Sequence, residues 1–130
     1  MRSFTNSISA LALCLIPICA LGVEPNWVLQ GSTPKTDFYI DLDSLKINGT
    51  LRRIWEMHDL KTPQQGFRSS RHLSEYDCQE ERWRILQQYT YAERMGSGPM
   101  TNNSNFADQW SYVAPGTAGA DILKLVCAKK

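Results

Sequence analysis

The sequence predicts an α+β domain: an antiparallel β-sheet of about five to six strands, with a C-terminal α-helix packed on one face and tethered by a disulfide. Three observations carry that expectation. Several stretches alternate apolar and polar residues with period two. The C-terminal stretch opens on Pro115-Gly116-Thr117 and then carries Ile122, Leu125 and Val126 at helical spacing. Two cysteines, Cys78 and Cys127, remain once an N-terminal export leader is set aside.

The leader is read from the first residues of the 130-residue chain. Met1-Arg2 supplies one positive charge, and no charged residue lies between Ile8 and Val23. That run has the length of a signal-peptide core and is short for a membrane span. Ala20-Leu21-Gly22 places small residues at the −3 and −1 positions, which predicts cleavage after Gly22 and a single domain over residues 23–130. The competing readings are an uncleaved anchor and a buried helix. Cys14 and Cys19 lie where a lipidated cysteine sits, but Leu13 and Ile18 precede them, too bulky for that chemistry.

Removing the leader takes away Arg2 and no acid. Of 14 Lys+Arg, 14 − 1 leaves 13, against 13 Asp+Glu, so the remaining chain is formally neutral. A neutral chain offers no electrostatic footprint for nucleic acid and no polybasic run for anionic lipid. No membrane span is expected after cleavage. Two cysteines in an exported chain are most simply one disulfide, Cys78–Cys127. It would close a loop of about 50 residues, worth roughly 4 kcal/mol in chain-entropy terms. The rival role for Cys78, nucleophile or metal ligand, lacks a CxxC and a histidine at zinc spacing.

The elements follow in order. Asn26 to Gln30 is a short apolar first strand, and Gly31 to Lys35 breaks it. Asp37 to Asp41 alternates, with Phe38 and Ile40 on one face. Leu42 to Gly49, with Asp43, Ser44, Asn48 and Gly49, reads as a turn. Thr50 to Leu60 is the next strand, with Trp55 and Met57 on one face and Ile54, Glu56 and His58 on the other. Lys61 to Gly66 reads as a loop.

Arg68 to Tyr91 is the central pair, reversing at Cys78-Gln79-Glu80. Its first strand puts His72, Ser74, Tyr76 and Cys78 on one face and is more polar than a buried strand should be. In the second, Trp83, Ile85, Tyr89 and Tyr91 share a face at period two, as expected of core aromatics. A helix is the rival there, since EERWRILQQY is rich in helix formers. Met95 to Asn105 carries too much Gly, Pro and Asn for a regular element. Trp110 to Val113 is a short strand. Thr117 then caps a helix over Ala118 to Lys130, with Asp121 near its start and Lys129-Lys130 at its end.

No catalytic site is visible, no metal site is predicted, and no cofactor is expected. His58-Asp59 would be an acid–base pair only if both faced one way, and neighbours on a strand do not. His72 is a candidate haem or metal ligand without a partner in the spacing. Arg82 and Arg84 read either as a solvated edge or as an anion site. Asn48-Gly49-Thr50 and Asn102-Asn103-Ser104 match glycosylation sequons and are read as turn chemistry.

Taken together, one ordered set of residues resembles a known family. It comprises Trp27, Tyr39-Ile40-Asp41, Ile54-Trp55 with Asp59-Leu60, Tyr76-Asp77-Cys78 and Tyr89 to Tyr91. Gly96, Gly98, Trp110, Pro115-Gly116-Thr117 and Cys127 complete it. In that order and spacing the chain resembles the bacterial surface-adhesin protein E family of small exported proteins. The resemblance implies an antiparallel sheet with a disulfide-tethered C-terminal helix, and adhesion to host proteins. Haem binding and dimerisation are associated with the type member, but no ligand residue is carried over. The expectation is a non-enzymatic exported protein, periplasmic or at the cell surface, that contacts a host or envelope protein, with a homodimer as a further expectation. The alternative is a periplasmic carrier of a small, haem-like ligand.

Overall fold

Alternating strands joined by short reversals fold residues 27–104 into one antiparallel meander. The structure is a computed structural model that describes residues 22–130, so the expected leader, with Cys14 and Cys19, lies outside the described residues except for Gly22. The strands are β1 (Trp27–Ser32), β2 (Thr36–Asn48), β3 (Leu51–Gln64), β4 (Phe67–Asp77), β5 (Arg82–Tyr91) and β6 (Met100–Ser104), paired in that order. A short β7 (Ser111–Tyr112) shares the outer edge of β5 with β6. The helix α1 (Ala118–Cys127) covers one face. Among the described residues no helix is long and apolar enough to cross a membrane.

The predicted sheet and helix are present, but five local expectations need correction. The expected turn at Leu42 to Gly49 is mostly strand. β2 runs on to Asn48 through an irregularity between Asp41 and Lys46, and only Gly49-Thr50 turns. Its polar residues serve that bulge: Ser44 Oγ donates to the Asp41 carbonyl at 2.6 Å and accepts from Trp55 N–H at 2.9 Å. Backbone groups that the broken ladder would strand are thereby satisfied. The expected loop at Lys61 to Gly66 shrinks to Gln65-Gly66, both at positive φ. The Met95 to Asn105 segment, expected to be irregular, contains β6, an exposed edge strand that needs no apolar face. The helix stops at Cys127 rather than at Lys130.

The fifth correction matters most. Trp83, Ile85, Tyr89 and Tyr91 do not share a face. Leu73 pairs with Gln87 but Ser74 pairs with Ile85, so β5 carries one extra residue between them. A single bulge shifts the phase of a period-two strand. Trp83 therefore stacks on Tyr76 under the helix, while Tyr89 stacks on Trp55 on the opposite side.

The core lies between the helix and that first face. Ile40, Ile54, Tyr76, Ile122 and Val126 are buried together, with Leu42, Leu45 and Trp83 packed around them. Thr117 caps the helix by accepting from Ala120 N–H at 3.2 Å. The other end is held twice. Cys78 and Cys127 are joined by a disulfide of 2.06 Å. Arg52, itself buried, donates to the carbonyls of Val126 and Lys129 at 3.2 and 3.0 Å. A cation against the last carbonyls of a helix satisfies unpaired acceptors and complements the dipole.

Candidate functional site

Polar β4 is the centre of the sheet, and its polarity is buried on both sides. His72, Ser74, Glu75, Tyr76 and Asp77 are all buried. Because β3 and β4 alternate in step, these groups divide into one cluster beneath the helix and another on the open face.

Beneath the helix, the Tyr76 hydroxyl donates to Glu56 Oε1 at 2.6 Å. Burial, and after it the Glu56 carboxylate, holds the Tyr76 phenol well above its ordinary pKa. His58 Nε2 lies 3.5 Å from Glu56 Oε2, and the His58 ring meets Phe38 on one side and His72 on the other. Burial, helped by His58, lowers the His72 pKa to about 3. Neither ring nitrogen of His72 has a hydrogen-bond partner among the described residues. A cavity of about 320 Å³ opens beside this cluster, lined by Phe38, Glu56, His58, Trp83, Tyr112 and Ile122 among others.

On the open face, charges are matched across strands. Glu75 is fully buried and accepts from Arg53 Nε at 2.7 Å and from Arg84 Nε and Nη2 at 3.0 and 2.7 Å. Burial pushes its carboxyl up, but the two guanidinium groups outweigh that and leave it below its ordinary pKa. Arg82 pairs with Asp77, and the Arg82 and Arg84 guanidiniums lie 4.7 and 4.3 Å from the Trp110 ring centroid. Asp59 accepts from Arg94 Nε and Nη2 and from Met95 N–H, which pins the short 3-10 turn Arg94–Gly96 onto the sheet.

The middle of this face is a groove of about 380 Å³, lined by Trp27, Asp41, Trp55, Arg71, Tyr89 and Tyr91 among others. It crosses the sheet from β1 to β5, and the aromatic side chains in it are half-buried.

The residues singled out from sequence distribute as follows. His58 and Asp59 face opposite sides of the sheet, as strand geometry requires. His58 and His72, considered separately in the sequence, are brought together at 4.3 Å. Arg82 and Arg84 form neither a solvated edge nor an anion site, because Asp77 and Glu75 take their charges. Asn102 and Asn103 lie in β6 rather than in a turn. The aromatics expected in the core divide between core and groove. Glu56 and Arg71 were not singled out as site residues, and Tyr76 was placed only on the face it shares with His72; what joins them to their partners is cross-strand register, which for Arg71 and the β5 aromatics is shifted by the bulge in β5.

The family model described as surface-adhesin protein E matches residues 27–128. No curated protein matches the sequence. Among solved structures, the selenomethionine form of Haemophilus influenzae protein E is 15% identical, covers 83% of this chain and 90% of that one, and superposes with a TM-score of 0.62. Crystal form II of the same protein gives 16% identity, 84% and 97% coverage, and a TM-score of 0.57. Protein E from non-typeable Haemophilus influenzae gives 16%, 83% and 79%, with a TM-score of 0.57. At these identities the likeness concerns the fold.

Proposed function

Because this chain belongs to the surface-adhesin protein E family, we propose that it is an exported, non-enzymatic binding protein that contacts a host or envelope protein through the sheet face α1 leaves open. The observation that carries this reading is the groove of half-buried aromatics at the centre of that face. Aromatic side chains with a polar rim are what protein-binding surfaces concentrate. The buried acids nearby are engaged in holding strands together, Glu75 by two arginines and Asp59 by Arg94, which suits scaffolding rather than proton transfer.

The proposal includes residues 1–22 as a cleaved leader and residues 23–130 as the mature domain, located at the cell surface or in the periplasm. A Cys78–Cys127 bond suits that oxidising route. Protease shaving of intact cells carrying a tagged copy, beside a periplasmic control protein, tests the location. Loss of the tag with the control intact supports surface display. Survival of both puts the protein in the periplasm and its partner in the envelope. A tag found in the cytoplasm removes the reading.

A second reading, a carrier of a small haem-like ligand, draws on the cavity beside His58, whose walls include Phe38, Trp83 and Tyr112. Haem added to the protein should then shift its Soret band, and His58→Ala should abolish the shift. An unshifted band, or an equal shift in the variant, eliminates this reading.

A further inference from the structure

We infer that the groove at Arg71 takes a carboxylate from the partner, an Asp or Glu side chain flanked by apolar residues. The inference rests on the open face being the binding surface. Its ground is a mismatch in charge. On this face Arg53, Arg82, Arg84 and Arg94 each pair with a carboxylate. Arg71 has none among the described residues.

The Arg71 guanidinium instead lies between two rings, 5.8 Å from the Trp27 centroid and 5.3 Å from that of Tyr91. Its Nε is buried without a hydrogen-bond partner, and Nη2 reaches only the Gly96 carbonyl, at 3.5 Å. A guanidinium held by aromatic walls has lost its rotamer freedom before any partner arrives, and partial desolvation strengthens a charge-assisted bond to it. Asp41, the acid in the same groove, is turned into the β2 bulge, where its Oδ1 accepts from Asp43 N–H at 3.1 Å.

The lining also chooses between carriers of the carboxylate. Trp27, Trp55, Tyr89 and Tyr91 present mostly apolar surface, and Arg71 and Asp41 are the charged side chains among the lining residues. An acidic sugar carries a hydroxyl on most ring carbons and would leave several unpaired there. An acidic residue between apolar neighbours would not.

The test is an NMR titration of the ¹⁵N-labelled protein purified after export. The reporters are the Arg71 Nε–H and the indole N–H groups of Trp27 and Trp55. The probes are acetyl-Phe-Glu-Phe-amide, its Gln isostere and a galacturonic acid trimer. The expected result is saturable shifts with the Glu peptide, about tenfold weaker binding of the Gln peptide, and loss of that preference in Arg71→Gln. In the unaltered protein the preference should also shrink as salt is raised, a readout that needs no variant to fold. Equal binding of the Glu and Gln peptides overturns the inference, as does absence of shifts. Shifts from the galacturonate trimer alone overturn it in favour of a glycan. Partner binding that Arg71→Gln leaves intact but Trp55→Ala weakens would retain the open face while rejecting the carboxylate.

Discussion

The rings of His58 and His72 meet edge to face at 4.3 Å beneath the helix, one from β3 and one from β4. His72 is only 4% exposed, and its pKa is lowered from 6.5 to about 3, first by burial and then by His58. The unfolded chain therefore binds a proton on this residue near its ordinary pKa, whereas the folded chain does not until about pH 3. Between those values the unfolded state holds more protons, so stability falls as pH falls.

Lowering the pH from about 7 to about 5 should accordingly reduce the urea midpoint, with a ceiling near 1.4 kcal/mol per pH unit for one group. The carboxyls with lowered pKa values, Asp37, Glu75 and Asp77, contribute their losses at lower pH. His72→Leu should flatten the slope between pH 7 and 5. An unchanged slope in that variant would show that His72 does not control it.

The disulfide and Arg52 together hold the end of α1. Opening the bond by replacing both Cys78 and Cys127 with Ser should cost about 2–4 kcal/mol, because the cysteines lie 49 residues apart and the constraint on the unfolded chain is large. The far-ultraviolet signal of the sheet should survive, since the strands pair without the helix end. A melting temperature equal to that of the unaltered protein would contradict the tether.

Gly96 has φ +69°, and a Cβ there would lie 2.5 Å from Arg71 Nε and 2.8 Å from Met57 Cε. Gly96→Ala should destabilise the domain by about 1–3 kcal/mol and displace the Arg71 side chain from between its rings. The loss should appear as faster amide exchange at residues 94–98 and as a shifted Trp27 indole resonance. An unaltered indole resonance would show that the turn and the groove are independent.

Much of the fold was legible because it rests on patterns that survive without partners. The period-two alternation of Asp37 to Asp41, the Thr117 cap and the pairing of two remaining cysteines are local or arithmetical signals. Three features were not legible, each for a physical reason. Polar β4 looked unfit for burial because Glu75 and Asp77 are neutralised by Arg53 of β3 and by Arg84 and Arg82 of β5, partners identifiable only through register. β6 looked irregular because an exposed edge strand needs no apolar alternation. The groove was hidden because one extra residue in β5 moves Tyr89 and Tyr91 to the face opposite Trp83. Bulges of this kind leave no reliable mark in a single sequence.

In the proposed function the open face, not the helix side, meets the partner. The most direct measurement is a titration of the exported, disulfide-intact protein against immobilised matrix proteins and envelope fractions, alongside Trp27→Ala and Trp55→Ala variants whose melting curves show them folded. Saturable binding to at least one component is expected, weakened about tenfold or more by either change. Absence of saturable binding, or binding that both variants retain while Trp83→Ala on the helix side abolishes it, would rule out the open face as the binding surface.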